Sequence, residues 1–476
     1  MGEEIHESRF EQADFERFAR GLERETGRLL EWFHDGRFQA GPVRLGAEVE
    51  AWLVDANGEP LAANTEVIHA LEDSRVVHEL ARFNLEFNAS PTALKGQPFS
   101  ALTHELSDLL NRIDAAAGDF GGRVVIIGIL PSVRDHHLAM ANMSPLQRYQ
   151  ALNDQVLLQR GGDPMVVNIY GDEPLHAEHK DVMLEAAATS LQVHLQLAPD
   201  SATAVFNAAL AASAATVALA ANAPALFGHR LWEETRVPLF EQAVQLGAGR
   251  QGQAGSGHPR VGFGSGYVGE SLEALFIENR DHYPVLLPIH CDNQRRDLPH
   301  VRFHNGTIWR WNRPLIGMDG ERPHLRLEHR VMSAGPTPVD MSANTAFFAG
   351  LVHGWAAMDD RIEEHLAFSD ARAGFYRAAR DGLAARVPWC GQERDLARLL
   401  RDELLPRADE GLAGLGVDPA ERREYLEIID RRVATGQTGS AWQRAWLQRH
   451  GRDWSGLVRA YHRRQQDGQP VHQWSL

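Results

Sequence analysis

The chain has 476 residues and a formal net charge of -16. That balance excludes general binding to nucleic acid or to an anionic membrane surface. Its apolar and charged fractions are those of a soluble globular protein, and two cysteines, Cys291 and Cys390, exclude a disulfide framework and suit a reducing cytoplasm.

Arginine greatly outnumbers lysine, so the basic groups favour flat, two-pronged contacts with carboxylate or phosphate. The N-terminus is acidic and amphipathic and carries no signal-peptide pattern. Neither a repeat nor a low-complexity linker divides the chain, which predicts one compact domain over residues 1–476. Within it we expect an N-terminal helix in 1–40, a sheet-and-helix core over 40–355 and packed C-terminal helices over 356–476.

The first predicted element is an amphipathic helix within Phe10 to Phe38, where Phe15, Phe18, Leu22, Leu29 and Trp32 recur at helical spacing. A strand follows at Arg44 to Leu53, RLGAEVEAWL. Residues two apart on a strand share a face, so Glu48 and Glu50 point together. Two carboxylates on a buried face repel each other and resist desolvation, and a divalent cation is the natural compensation. An edge strand with its glutamates in water gives the same pattern. Asp55 to Gly58 then reads as a hairpin turn.

A second acidic strand lies within Val76 to Pro91. In RFNLEFNAS, Asn84, Glu86 and Asn88 share one face, and Phe83, Leu85 and Phe87 the other. Phe99 to Gly118 is a predicted helix, Arg123 to Leu130 a buried strand, and Pro131 to Tyr149 a loop holding Arg148 and Tyr149. His136-His137 and the spacing of His176 to His179 lack the further ligands a zinc site needs.

Thr189 to Leu197, TSLQVHLQL, is a third alternating strand, with Gln192, His194 and Gln196 on one face. Ser201 to Gly228 carries no acidic or basic side chain. Its alanines, scattered polar residues and Pro224 predict a tightly packed interior helix rather than a membrane span. The glycine-rich segment from 245 to 269 matches neither the lysine-bearing P-loop nor the dinucleotide fingerprint, and reads as a surface loop. His290, Cys291, His300 and His304 fit no tight zinc spacing.

In TIWRWNR, Thr307 to Arg313, Trp309 and Trp311 alternate with Arg310, so indoles packed on a core would fix that arginine. In HLRLEHRV, His324 to Val331, Arg326, Glu328 and Arg330 share a strand face. Two guanidiniums flanking a carboxylate suit a phosphate beside a metal, and also suit a self-neutralised ladder on a solvated face. A helix follows from about Val339 to Met358.

Distant strands therefore offer matching polar faces. We expect an α+β fold in which a curved antiparallel sheet lines a funnel and helices back its other side. Carboxylates with one histidine suit Mg²⁺ or Mn²⁺, and arginines beside them suit phosphoryl transfer from a nucleoside triphosphate.

The sequence resembles the type 2 glutamate–cysteine ligases, or carboxylate–amine ligases, of the glutamine synthetase-like superfamily. The resemblance runs from about residue 40 to about 450. It is carried by GAEVEAW at 46–52, NLEFNASP at 84–91, Arg148-Tyr149, the LQVHLQL strand, AANAPALFG, FHNGTIWRWNRP at 303–314 and RLEHRVMSAGPTPVDMSAN at 326–344. It implies a glutamine synthetase-like catalytic fold, ATP and Mg²⁺ or Mn²⁺ as cofactors, and a role in glutathione biosynthesis. The implied reaction joins the glutamate side-chain carboxylate to the amine of cysteine through an acyl phosphate. By the same resemblance, Glu48, Glu50, Glu86, His194 and Glu328 are placed as metal ligands. Arg326 and Arg330, catalytic with Glu328, would neutralise the phosphate or hold the amino-acid carboxylate; Arg148, Gln192 and Arg310 are further candidates for substrate or nucleotide contact. Plant members carry an arginine shortly before the third strand, where this chain has Glu185. The implied partners are small molecules, with neither nucleic acid nor membrane, and a homo-oligomer stays open. Other readings are a ligase for a different amine, a non-catalytic relative that binds nucleotide or amino acid, and a metal-dependent amidohydrolase that needs no nucleotide.

Overall fold

The structure is a computed structural model that describes Ile5 and residues 9–246, 258–292 and 295–476. Helix α1 spans Gln12–His34 and buries the predicted apolar stripe, with Phe18, Leu22, Leu29 and Trp32 inside. Strand β1, Arg44–Asp55, is the spine of the fold. It is followed by the hairpin of β2, Val76–His78, and β3, Asn84–Asn88, and by the short β4, Thr92–Ala93. Helix α2, Pro98–Gly118, leads to β5, Gly122–Val125. Strand β6 is Ser190–Leu197 and helix α3 is Ala202–Leu219. Strands β7, Asn312–Asp319, and β8, Arg322–Ser333, form a hairpin before helix α4, Pro338–Ala356.

These eight strands form one antiparallel sheet in the order β7-β8-β6-β1-β3-β2, with β4 and β5 paired to the ends of β1. Its two faces are chemically opposite, because the side-chain period of a strand is two. Leu45, Ala47, Val49 and Ala51 of β1, Leu191, Val193 and Leu195 of β6, and Leu325 and Leu327 of β8 are all buried on one face. Burying each large aliphatic side chain contributes about 1.5–3 kcal/mol before entropy is counted. Helices α3 and α4 back this side. The other face carries Glu48, Glu50, Glu86, Gln192, His194, Arg326, Glu328 and Arg330.

Helix α3 is the alanine-rich segment, and every one of its residues but Thr203 is buried. Pro199–Leu219 is long and apolar enough to cross a membrane, but it lies inside the protein with 94% of its apolar window buried. Small side chains let it pack closely under the sheet. Ser213 and Thr216 donate back to the carbonyls of Ala209 and Ala212, which satisfies their hydroxyls without solvent. His329, at the back of β8, is equally internal. It pairs with Asn312 at 2.7 Å and Thr216 at 3.0 Å and stacks on Phe348. Burial lowers its pKa to about 3, so it is a neutral structural ring.

Several elements differ from expectation. The strand expected at 123–130 stops at Val125, and residues 126–130 continue as buried, irregular chain. The turn after β1 exists, but its return is a single bridge between Val54 and Pro60. The expected loop over 131–149 ends inside a helix, Gln147–Gln159, which carries Arg148 and Tyr149. In the glycine-rich segment, Gly247, Gly249, Gly252, Gly255 and Gly257 lie outside the described residues. Its described end, 258–269, is mostly irregular chain, but it is anchored where Val261–Gly262 is buried and pairs in parallel with Trp309–Arg310.

Candidate active site

Strand register decides which acids meet. Glu50 on β1 lies opposite Glu86 on β3, and Glu48 lies opposite Gln192 on β6. His194 on β6 lies opposite Glu328 on β8, which lies opposite Arg313 on β7. Two groups of potential ligands result: Glu48, His194 and Glu328, and Glu50, Glu79 and Glu86. Within each, one donor atom per residue lies within 4.8 Å of the others.

The first group is held by cations of the protein itself. Arg313 grips Glu328 with two prongs at 2.7 and 2.8 Å, and Arg330 adds a third contact at 3.3 Å. Burial pushes Glu328 upward, but Arg313 and Arg330 outweigh it and hold the carboxyl well below its usual range. Burial likewise raises Glu48, and the adjacent His194 ring reverses this and brings it down to about 2. His194 Nε2 lies 3.1 Å from Glu48 and 3.9 Å from Glu328. Neither ring nitrogen makes a well-formed hydrogen bond among the described residues, although the ring is 6% exposed. Among the described residues Nδ1 has no partner and Nε2 meets only these two carboxylates, an arrangement in which Nε2 and the carboxylates could share a cation.

The second group has little to offset its charge. Glu50 accepts from the Ser190 amide at 2.7 Å and from Gln192 at 2.8 Å, and Gln192 in turn accepts from Arg330 at 2.8 Å. Among the described residues the Glu86 carboxylate accepts only from Asn88. Burial, and then the charge of Glu48, raise Glu86 to about 7. Glu79 is likewise raised well above the usual carboxylate range, through burial and then the charges of Glu86 and Glu50. Carboxylates in this position fit a hard divalent cation, which would replace their mutual repulsion with attraction. The oxygen-rich donor set of both groups suits Mg²⁺ or Mn²⁺ better than zinc.

Arg326 borders the first group. Burial lowers its pKa, opposed by Glu48 and Glu328, and its Nε has no hydrogen-bond partner among the described residues. Trp52 lies further along the Glu48–Glu50 face, stacks on Phe83 and donates to Thr189 at 3.2 Å.

Glu48, Glu50, Glu86, His194, Glu328, Gln192, Arg326 and Arg330 are thus brought to one face. Arg148 sits beneath the rim: its guanidinium donates to the His78 carbonyl at 3.1 Å and to Tyr149, which donates to the same carbonyl at 2.9 Å. It fixes the chain immediately before Glu79. Arg310 is not at the funnel. It is 2% exposed, donates to Asn279 at 2.6 Å, lies 3.2 Å from Glu278 and covers the Tyr283 ring. Two residues of the site escaped the sequence. Glu79 lies in the irregular link between β2 and β3, where alternation gives no signal. Arg313 is the residue after WRWN, and its role depends on the hairpin pairing with Glu328. None of the histidines and cysteine grouped at 290–304 joins the site; His300 pairs with Glu25 and His304 with the Asn279 carbonyl.

The sequence profile of glutamate-cysteine ligase family 2 matches residues 44–468, and the chain belongs to that family. Comparison with curated proteins finds no match. Among solved structures, the chain is similar to the glutamate–cysteine ligase of Francisella tularensis in complex with AMP. The TM-score is 0.58 at 14% identity, over 90% of each chain. It is also similar to a bifunctional glutathione synthetase from Pasteurella multocida, with a TM-score of 0.50 at 12% identity, over 89% of this chain and 52% of that one. At these identities the likeness shows the fold: a curled antiparallel sheet backed by helices, as in the glutamine synthetase-like ligases.

Proposed function

We propose that this member of glutamate-cysteine ligase family 2 is an ATP-dependent ligase that joins the side-chain carboxylate of glutamate to the amine of cysteine. The observation that carries the reading is the meeting of two acidic groups and three guanidiniums, from five strands and the link before β3, on one side of one sheet. Family membership supports a carboxylate–amine ligase, and the AMP bound by the Francisella protein supports nucleotide binding.

The chemistry explains the residues. A carboxylate is a poor electrophile and must be activated before an amine attacks it. Its oxygen attacks the γ-phosphorus of ATP, the bridging bond breaks and ADP leaves. The amine nitrogen then attacks the acyl carbon, and phosphate leaves with its oxygen. ATP and the substrate are both anions, so cations must bring them together. Glu48, His194 and Glu328, and Glu50, Glu79 and Glu86, would hold Mg²⁺ or Mn²⁺, which when bound neutralises phosphate charge and orients the transferred group. Arg330 and Arg326 stand where they would stabilise charge on the moving phosphoryl group. Arg313 holds Glu328 in its ionised form. The attacking amine must be neutral, and the funnel carboxylates supply acceptors for its proton.

The test is to incubate the protein with ATP, Mg²⁺ and L-glutamate, vary the amine, and measure ADP and product mass. Cysteine-dependent ADP release with γ-glutamylcysteine is the expected result. ADP release with another amine alone would reassign the acceptor. Nucleotide binding with no release for any amine would make the protein a sensor, and turnover without ATP would make it a hydrolase.

A further inference from the structure

On the Glu50 side the funnel deepens into a pocket whose wall includes Glu79, Asn84, Glu185, Arg236, Trp311 and Arg330. The two arginines of this wall already have carboxylate partners that do not line it. Arg236 pairs with Glu234 and Arg330 with Glu328, each at 3.3 Å. The acids lack such partners. Glu50 and Glu79 belong to the acidic group described above. Glu185, in a short turn of helix before β6, receives neither a hydrogen bond nor an ion pair on its carboxylate among the described residues.

Asn84 makes the same point independently. It is 2% exposed and lines the pocket, yet neither its Oδ1 nor its Nδ2 has a hydrogen-bond partner among the described residues. The Nε atoms of Arg236 and Arg330 are likewise unbonded. Buried polar groups are almost always paired, and leaving one unpaired costs free energy. The vacant acceptors are Asn84 Oδ1 and the Glu185 carboxylate; the vacant donors are Asn84 Nδ2 and two guanidinium N–H groups. One small ligand satisfies both sets if it carries an ammonium beside a carboxylate, the head group of an α-amino acid.

We propose that Glu185, with Asn84, is the specificity-determining site for the α-ammonium group of an amino-acid substrate. The inference rests on the ligase reading for what the amino acid is used for, and on the pocket alone for how it is recognised. The head group could belong to the carboxylate-donating substrate or to the amine-donating one, since both carry it. Glu185 discriminates by charge: it attracts an ammonium and offers nothing to an otherwise identical molecule without one.

The test uses matched probes on the full chain, titrated calorimetrically with Mg²⁺ and the β,γ-imido analogue of ATP present. L-Glutamate is compared with glutarate, and L-cysteine with 3-mercaptopropionate; each pair differs by the ammonium alone. The wild-type protein should bind the ammonium-bearing member of one pair at least ~10-fold more tightly. Glu185→Gln keeps the shape and should bring that pair within ~2-fold, leaving the ammonium-free probe unchanged. The pair that collapses identifies the source of the head group. Asn84→Leu should weaken the same member ~3-fold or more. Undiminished discrimination in Glu185→Gln, equal weakening of both members, or equal wild-type binding within both pairs would overturn the proposal. So would binding of none of the four. Separately measured ADP release with ATP and amino acids then decides whether the ligase reading survives.

Discussion

Fully buried carboxylates outside the funnel and partly buried ones inside it behave in opposite ways. Away from the funnel, Asp340 accepts from Arg432 at 2.7 Å, from Thr337 at 2.8 Å and from the Val471 amide at 3.0 Å. Glu25 pairs with His300 at 2.7 Å and accepts from the His300 and Val301 amides at 2.8 and 3.2 Å. The fit there is tight: a Cβ added at Gly21 would lie 2.3 Å from the His300 ring. These carboxylates lock the C-terminal segment to α4, and α1 to the helix at Pro299–Gly306. In the funnel, among the described residues, the Glu79 carboxylate accepts only from the Leu80 amide at 3.1 Å, that of Glu86 only from Asn88 at 2.9 Å, and that of Glu185 accepts nothing. A saturated carboxylate holds the protein together, and an unsaturated one keeps free energy available for a ligand.

The contrast predicts effects of opposite sign. The largest is at the structural pair. Arg432→Ala leaves Asp340 buried without its cation and should cost about 3–5 kcal/mol in denaturant unfolding. A loss below ~1 kcal/mol would show that Asp340 does not need its partner. Next, Glu79→Gln should lower ADP release by ~10²–10³-fold, because a ligand of the acidic group is lost. The same change removes a carboxyl whose ionisation is opposed by burial and by Glu86 and Glu50, and should raise the stability of the metal-free protein by about 1 kcal/mol. A variant that loses both activity and stability would place Glu79 with the structural acids. Third, Mg²⁺ at a hundred times its dissociation constant should stabilise the wild type by about 2.7 kcal/mol. Arg432→Ala should keep that increment, and a protein carrying both Glu48→Gln and Glu79→Gln should lose it. An unchanged increment in the double variant would move the cation elsewhere.

Much of the funnel was legible because a strand writes its faces into the sequence with a period of two. Glu48 and Glu50, Glu86, His194, and Glu328 between Arg326 and Arg330 all fall on alternating strands, and alternation placed each on a polar face. The fold class followed from the same evidence, since polar faces on separated strands must converge if they are buried. What alternation cannot reach is residues outside strands. Glu79 lies in a link, Glu185 in a short turn, and Asn84 could be placed on a face but not identified as unbonded. Pair-dependent roles were equally hidden. Arg313 gains its meaning from the register of β7 on β8, and Arg310 from the helix at Glu273–His282, which draws it away from the funnel. In the short strand Trp309–Arg310 the indole is buried in the core and the guanidinium is held by Asn279 and Glu278, so the alternating pattern there marks structure.

The smallest effect concerns pH, and it tests whether a satisfied pair outside the funnel carries charge. His179 is 7% exposed, with Asp135 2.9 Å from Nε2 and Asp181 3.6 Å from Nδ1. Burial lowers its pKa, and hydrogen bonds to Asp181 and Asp135 reverse this and leave it above the usual histidine value of 6.5. The folded state therefore holds the proton more tightly than the unfolded chain does. The resulting stability is fully present below pH ~6.5 and is lost as pH rises through the raised folded value. Asp135 is 66% exposed, so solvent screening keeps the contribution below about 1 kcal/mol. Urea unfolding between pH 6 and 8 should show this decline in the wild type and lose it in His179→Gln. A decline of the same size in His179→Gln would assign it to another group, and the pair would then be a neutral hydrogen bond.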